Sequence, residues 1–294
     1  MQAESSETVV VVNVCCTAYS GGTWFNLMLG SHPDGFSIGE MKWLRRMNEP
    51  TCTLHGRECP IWSRFDLNGD ENPFLQLHRI TGKRFLAVNQ SRKFLVHQRD
   101  PRIKSKFVHF VRDGRAVMAS ILRKYSNRPA WKVARLWAHN IRRNARLIAR
   151  QPQADTCMLN YEALKADPAR QLQKVCDAIG MPFVSGMTEY WNHEHHYIGG
   201  NRGTLLSLVQ KRNDRVAVDQ LQNAEPLAGS RKGPQWDMNY YAGADPTKFV
   251  DERWKKELTD AQLRIFALIA GRLNRKYGYP PSMDRHAAVA ERLT

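Results

Sequence analysis

The chain has 294 residues, a hydrophobic content of 42% and a formal net charge of +16, from 44 basic and 28 acidic residues. A chain of this length without a Pro/Gly-rich linker is predicted to form a single domain over residues 1–294, with insertions near 43–72 and 193–230. The positive net charge favours an anionic partner. No apolar run reaches the ~18 residues of a membrane span and the polar, acidic start lacks a secretory pattern, so we expect a cytoplasmic protein without a membrane span.

The first predicted elements are a buried strand at residues 9–14, a glycine-containing turn and a helix at 24–29. A helix N-terminus offers backbone N–H groups and the positive end of the helix dipole, to which Ser20 and Thr23 add hydroxyl groups. The turn therefore predicts an anion site. It lacks the Lys-Ser/Thr pair of the nucleoside-triphosphate loop, which argues against ATP hydrolysis.

Further apolar runs predict strands at residues 85–88, 107–111 and 157–161, separated by predicted helices at 116–124, 131–149 and 168–179. Buried strands that alternate with helices are typical of a three-layer α/β fold with a mainly parallel sheet. Residues 201–230 are polar with weak periodicity and predict a long loop or lid. From residue 251 the pattern predicts one amphipathic helix, with Thr259 as an N-cap.

A second group of candidate residues follows the strand at 107–111. Arg112 stands at its carboxyl end, and Ser120 comes eight residues later, two turns into the next helix. Ligands of open α/β sheets bind at this edge, so both side chains are expected to face one crevice. The structural alternative is an Arg112–Asp113 ion pair, with Ser120 on the helix surface.

These two segments, in this order, resemble the sulfotransferases that use 3'-phosphoadenosine 5'-phosphosulfate (PAPS). The loop that binds the 5'-phosphosulfate in that family matches Ser20, Gly21, Thr23 and Trp24, and the arginine and serine of its 3'-phosphate site match Arg112 and Ser120. The similarity extends over residues 9–279. It implies a P-loop-like fold, PAPS as sulfuryl donor, adenosine 3',5'-bisphosphate (PAP) as product, and transfer without a metal.

Two supporting segments complete the resemblance: a Tyr-Glu-x-Leu segment at 161–164 and an Arg-Lys-Gly element at 231–233. The implied donor-binding residues are Tyr19, Ser20, Gly21, Gly22, Thr23, Trp24, Arg112, Ser120, Tyr161, Arg231, Lys232 and Gly233. Tyr19 departs from the family, which usually has Lys or Arg there. A phenol carries no charge at neutral pH, so we expect Arg92 or Lys93 to stabilise the transition state.

The segment "SHPDGFSIGEM" resembles the tyrosylprotein and many bacterial sulfotransferases, in which a Gly-Glu pair follows the first helix. This implies Glu40 as the catalytic base; the alternative is a surface glutamate that caps the next helix. His97 is the rival base, because cytosolic members use a histidine from this part of the chain. The implied acceptor is a hydroxyl or amine group of a small molecule or glycan, whose identity stays open.

Cys52, His55 and Cys59 form a set that lacks a fourth metal ligand, and the histidines near 193–196 have no partner motif, so we predict no metal site. The resemblance implies a loop-stabilising role for the cysteines; a disulfide would be unusual in the cytosol.

Two other functions stay open. A P-loop kinase is disfavoured by the missing lysine. Nucleic-acid binding is suggested by the arginines within 131–150, but we expect these arginines to be solvated or to attract the anionic donor. We therefore predict no nucleic-acid partner.

Overall fold

A computed structural model describes residues 8–90, 92–223 and 252–280. Within these ranges five parallel strands form one sheet in the order β2-β3-β1-β4-β5. The strands are β1 Val9–Cys15, β2 Gly35–Gly39, β3 Phe85–Asn89, β4 Ile103–Val111 and β5 Thr156–Asn160. Because all strands are parallel, their carboxyl ends meet at one edge of the sheet, where β1 and β4 are neighbours.

Helices flank the sheet, which confirms the predicted α/β class. In the described part of the chain they are α1 Gly22–Gly30, α2 Pro73–Thr81, α3 Gly114–Lys124, α4 Ala130–Ile148, α5 Tyr161–Ala166, α6 Pro168–Ile179, α7 Arg202–Lys211, α8 Arg215–Asn223, α9 Trp254–Glu257, α10 Asp260–Phe266 and α11 Arg272–Lys276. A π-helical turn, Ala267–Gly271, joins α10 to α11. None of the described helices is long and apolar enough to cross a membrane.

The apolar runs in the sequence correspond to strands that are buried in the structure. All seven residues of β1 are buried, as expected for a central strand covered on both faces. The main hydrophobic cluster surrounds β1, β2 and β3 with α1 and α2. A second cluster joins α3 and α4 to the C-terminal helices, where the Trp137 and Phe266 rings lie 5.5 Å apart. The four predicted strands are thus confirmed.

Strand β2 was missed by the sequence analysis. It has five residues, begins and ends with glycine and contains Ser37, so its composition does not favour a strand. It forms because it pairs with β3 along a shared register, with Phe36 opposite Leu86. Pairing with a central strand therefore outweighs the weak local preference.

The predicted loop at 201–230 is wrong for residues 202–223, which form α7 and α8. Leu205, Leu206 and Leu208 are fully buried in the main cluster, and the Asn201 side chain caps α7 by accepting a hydrogen bond from the Thr204 N–H at 3.0 Å. Packing of this short leucine run stabilises a helix that its polar flanks do not indicate. Residues 224–230 lie outside the described ranges.

The C-terminal helix predicted from residue 251 is interrupted. α9 ends at Glu257, Leu258 is extended, and α10 starts again after Thr259. Thr259 forms a capping box with Gln262: its hydroxyl accepts from the Gln262 N–H at 3.2 Å, and its own N–H donates to Gln262 Oε1 at 2.9 Å. The predicted N-cap is confirmed, and this cap is what separates the two helices.

Candidate functional site

The predicted anion loop connects β1 to α1. Tyr19 and Gly21 both have positive φ angles, +64° and +81°, so the chain turns sharply before the helix begins at Gly22. A Cβ atom at Gly21 would lie 2.6 Å from the Tyr161 ring, so both the backbone conformation and the space require glycine. The N–H groups in the first turn of α1 therefore lie at the carboxyl edge of the sheet, as an anion site needs.

The hydroxyl groups of the loop fix its shape. Ser20 is buried and shares a hydrogen bond of 2.5 Å with Thr17. Thr23 Oγ1 accepts a hydrogen bond from the Asn201 N–H at 2.9 Å and is also hydrogen-bonded to the Tyr197 side chain. The loop is thus fastened to a segment almost 180 residues further along the chain.

Arg112 brings the second motif to this loop. It follows β4, is 5% exposed, and its Nη1 donates to the Tyr19 carbonyl oxygen at 2.9 Å. Its guanidinium carbon lies 4.5 Å from the centroid of the Tyr161 ring. Ser120 is partly buried in α3, and its hydroxyl donates to the Ala116 carbonyl at 3.0 Å. Arg112 therefore contacts the loop from a position 93 residues further along the chain.

Asp113, the predicted alternative partner of Arg112, has a structural role. Its carboxylate caps α3 by accepting from the Arg115 N–H at 2.9 Å and pairs with the Arg115 guanidinium at 2.7 Å. The Asn274 side chain adds a hydrogen bond of 3.1 Å to the same carboxylate. This buried pair fixes the start of α3 directly after Arg112.

Aromatic side chains line the site beside Arg112. Tyr161, the first residue of α5, packs edge-to-face on Trp24 with ring centroids 5.5 Å apart, and Phe110 lies 6.3 Å from Tyr161. Lys165 Nζ lies 5.6 Å from the centroid of the Trp24 ring. Flat aromatic surfaces beside cations suit a nucleobase joined to phosphate groups.

Glu40 lies at the end of β2. The N–H of Glu40 donates to the Ile198 carbonyl at 2.8 Å, and a Cβ atom at Gly39, whose φ is +88°, would lie 2.4 Å from the same oxygen. The Glu40 carboxylate is about three-quarters buried, accepts from Trp43 Nε1 at 2.8 Å and pairs with Lys42 Nζ at 2.7 Å. Within the described residues, no side-chain capping bond joins it to the following short helix, Met41–Arg46, which does not support the capping alternative.

The sequence analysis missed two cations, Lys124 and Arg202, of which Lys124 lies near the loop and interacts electrostatically with both Arg202 and Glu40. Lys124 Nζ lies 5.8 Å from the Tyr19 ring centroid. Burial and, to a smaller degree, repulsion by Arg202 lower the pKa of Lys124 to about 8, while Glu40 opposes this shift. Burial also lowers the pKa of Arg202, the first residue of α7. Lys124 is four residues after Ser120 and so shares its helix face, a signal that the sequence already contained.

The other predicted catalytic residues have contacts elsewhere. Arg92 is exposed, and its Nη2 donates to the Arg143 carbonyl of α4 at 3.4 Å. His97 packs against Phe94 with ring centroids 5.9 Å apart, and its carbonyl accepts from Asn72 Nδ2 at 2.6 Å. Lys93 is exposed. In the described ranges no hydrogen bond or ion pair joins these side chains to Glu40 or Tyr19, so their catalytic roles stay predictions.

Arg231, Lys232 and Gly233 lie outside the described residues. The arginines at positions 135–150 are exposed, as predicted, and three of them also line a cavity of about 250 Å³. Its lining residues are Arg135, Ala138, His139, Arg142, Arg146 and Ile269. None of them belongs to the predicted donor or acceptor residues, so this cavity is separate from the candidate site.

The prediction that Cys52, His55 and Cys59 lack a fourth metal ligand is wrong. The structure places His196 beside them, and the four ligand atoms all lie within 4.8 Å of one another. The sequence analysis could not find this ligand, because His196 is 137 residues from Cys59 and stands among other histidines.

Comparisons with known proteins support a family assignment and show the fold. A model of the sulfotransferase family matches residues 104–185, the segment that contains Arg112, Ser120 and Tyr161. The sulfotransferase domain from the curacin biosynthetic pathway is 17% identical, with a TM-score of 0.50, and the alignment covers 80% of this chain and 96% of that one. The sulfotransferase domain of the Synechococcus PCC 7002 olefin synthase is 19% identical, with a TM-score of 0.52, and the alignment covers 82% of this chain and 96% of that one. No curated protein sequence matches.

The family match over residues 104–185 supports a sulfotransferase family assignment for this chain. At 17% and 19% identity the two solved structures add the fold, a central parallel sheet with a P-loop-like arrangement. The family match supports sulfotransferase activity.

Proposed function

We propose that the protein transfers a sulfuryl group from PAPS to a hydroxyl or amine group of a small-molecule or glycan acceptor, releasing PAP. The observation that carries this proposal is the hydrogen bond of 2.9 Å from Arg112 Nη1 to the Tyr19 carbonyl. It joins the arginine at the end of β4 to the anion loop at the end of β1. A donor with anionic groups at both its 3' and 5' positions would contact both motifs at once.

The donor-binding roles follow from the chemistry of each group. The first turn of α1, with the Ser20 and Thr23 hydroxyls, would bind the 5'-phosphosulfate, because backbone N–H groups and the helix dipole favour an anion there. Arg112 and Ser120 would bind the 3'-phosphate, the arginine by charge-assisted hydrogen bonds. For this the Ser120 hydroxyl would exchange its bond to Ala116 for one to phosphate. Tyr161 would lie against the adenine.

Glu40 would act as the base. As the acceptor oxygen forms its bond to sulfur, its proton passes to the Glu40 carboxylate, and the sulfur–oxygen bond to the donor phosphate breaks with its electron pair leaving on PAP. Alignment of these groups and donors for the leaving phosphate lower the barrier, and the step needs no metal ion. His97 remains the rival base.

Lys124 and Arg202 would supply the positive charge that Tyr19 lacks. Lys124 Nζ is 5.8 Å from the Tyr19 ring, and with a pKa of about 8 it is mainly charged at neutral pH. A cation at this point stabilises the negative charge that develops on the leaving phosphate. This assignment takes the role that the sequence analysis gave to Arg92 or Lys93.

The proposal is tested by labelled-sulfate transfer from PAPS to a panel of phenols, alcohols, sugars and amines. We expect label transfer from PAPS, no phosphoryl transfer from ATP, and the same rate with or without added Mg²⁺. Calorimetry with PAP tests the donor even before an acceptor is found. Failure to bind PAP, or Mg²⁺-dependent transfer from ATP, would overturn the proposal in favour of the kinase alternative.

A further inference from the structure

Four metal-ligating side chains converge outside the donor site. Three come from one short segment, Cys52, His55 and Cys59, and the fourth is His196. Both cysteines are buried and both histidines partly buried. The turn that contains Cys52 and His55 is held by two hydrogen bonds of 3.0 Å between the backbones of Cys52 and Gly56. The set is therefore built on an ordered turn.

The separations suit a tetrahedral metal ion. Cys52 Sγ lies 3.5 Å from His55 Nδ1, and Cys59 Sγ lies 3.2 Å from His196 Nδ1. Zinc bonds of about 2.3 Å to sulfur and about 2.0–2.1 Å to nitrogen place neighbouring sulfur and nitrogen ligands about 3.6 Å apart. Small side-chain shifts would thus complete the coordination.

The outer nitrogens of the two histidines face the same carboxylate. Glu194 Oε1 lies 3.9 Å from His55 Nε2 and 3.6 Å from His196 Nε2. Carboxylates in this position orient metal-bound imidazoles and make them better ligands. Trp62 also donates to the His196 carbonyl at 2.8 Å, which fixes the backbone of the fourth ligand.

We infer that Cys52, His55, Cys59 and His196 bind a single Zn²⁺ ion as a structural metal site. Two sulfur and two imidazole ligands in a tetrahedral arrangement are the donor set that Zn²⁺ favours. Four protein ligands leave no position for a substrate, so the ion has no part in sulfuryl transfer. The inference goes beyond the proposed function and does not depend on it.

The ion would stabilise the backbone segments that hold Glu40, the proposed base. Next to the metal ligands, the Thr53 N–H donates to the Tyr197 carbonyl at 2.7 Å and the Thr53 hydroxyl to the Gly199 carbonyl at 3.1 Å. The Ile198 carbonyl between them accepts from the Glu40 N–H. A Zn²⁺ cross-link between these two segments would therefore support the backbone that positions Glu40.

The first test measures zinc in the full chain, purified without a polyhistidine tag from zinc-supplemented cells. Denaturation in the presence of a chromogenic chelator should release about one Zn²⁺ per chain. Cys59→Ser and His196→Ala should lower the zinc content at least about tenfold. The matched controls Cys157→Ser and His193→Ala should keep it, because Cys157 lies on β5 and His193 Nε2 bonds to the Gly186 carbonyl.

The second test uses only the unaltered protein, so it does not depend on the variants folding. After chelation, Co²⁺ should restore the visible absorption of a tetrahedral thiolate site. Chelation should lower the midpoint of thermal unfolding by at least about 5 °C, and Zn²⁺ should reverse this loss. Protein that binds neither zinc nor cobalt, a Cys52–Cys59 disulfide found by mass spectrometry, or zinc retained in both ligand variants would each overturn the inference.

Discussion

The two sides of the proposed site, namely the residues proposed to bind the donor (the donor side) and those around Glu40, the proposed base (the acceptor side), are built differently. On the donor side, the loop at residues 19–24 follows β1, Arg112 follows β4 and Tyr161 follows β5. On the acceptor side, Glu40 follows β2, but its position depends on hydrogen bonding to Ile198, which no strand of the described sheet contains. The first side is built by strand ends and the second by a distant segment that returns to the sheet.

This difference separates two kinds of functional residue. Donor-side residues occur in short motifs, because a parallel sheet brings every strand end to the same edge. Acceptor-side residues depend on contacts such as Glu40 to Ile198 and Thr53 to Gly199, between positions about 150–160 residues apart. We therefore expect changes on the donor side to alter PAP binding, and changes at Glu40 to alter turnover alone.

The largest expected effect is that of Glu40→Gln. If Glu40 is the base, turnover should fall about 10²–10⁴-fold, since glutamine keeps the shape of the side chain but cannot accept the proton. PAP affinity, measured by calorimetry, should stay within about twofold, because the loop and Arg112 are unchanged. His97→Ala serves as the control and should change turnover by less than about tenfold. The reverse pattern would assign the base to the 94–99 segment.

Arg112→Ala should weaken PAP binding by about 1.5–3 kcal/mol, or roughly tenfold to 150-fold, since it removes charge-assisted hydrogen bonds to phosphate. AMP, which lacks the 3'-phosphate, should lose much less affinity in calorimetry. Arg92→Ala is the matched control and should leave PAP affinity nearly unchanged, because Arg92 is hydrogen-bonded to α4. Equal binding of AMP and PAP by the unaltered protein would contradict the assignment of Arg112 and Ser120.

A pair of glycine variants tests how tightly the donor side is packed. Gly180→Ala, at φ +73° with no atom within 4 Å of the added Cβ, should lose about 1 kcal/mol of unfolding free energy from backbone strain. Gly21→Ala adds a contact of 2.6 Å to the Tyr161 ring, so it should lose about 1–3 kcal/mol more and bind PAP poorly. Denaturant unfolding measures both. Equal losses would mean that Tyr161 moves aside and does not restrict the loop.

The smallest effect concerns Lys124. Burial lowers its pKa to about 8, so it is protonated below that pH and loses its charge as the pH rises through it. PAP affinity should therefore fall by about three- to tenfold between pH 7 and pH 9. Lys124→Met should bind PAP weakly without this pH dependence, and Lys124→Arg tightly without it. A pH dependence that persists in Lys124→Met would exclude Lys124 as its source.

The candidate site was predictable where the signals were local. The strand, turn and helix around Gly21 and the Arg112–Ser120 spacing are contained in short stretches, as is the Thr259 capping box. Lys124 was within reach of the same reasoning, since it lies one turn beyond Ser120 on α3. Arg202 was not, because its segment was interpreted as a loop and α7 is stabilised by the burial of Leu205 and its neighbours.

By itself, the sequence determined the parallel α/β fold and the glycine-containing turn between β1 and α1, because apolar strand runs and turn glycines are patterns of neighbouring residues. Only the tertiary structure decided that β2 pairs with β3, that Ile198 binds the backbone of Glu40, and that His196 joins Cys52, His55 and Cys59. The physical reason is that a long-range contact forms when the burial of the surrounding segments compensates the entropy lost on closing the loop between them. This balance depends on segments far apart in the sequence, so no short stretch of sequence predicts it.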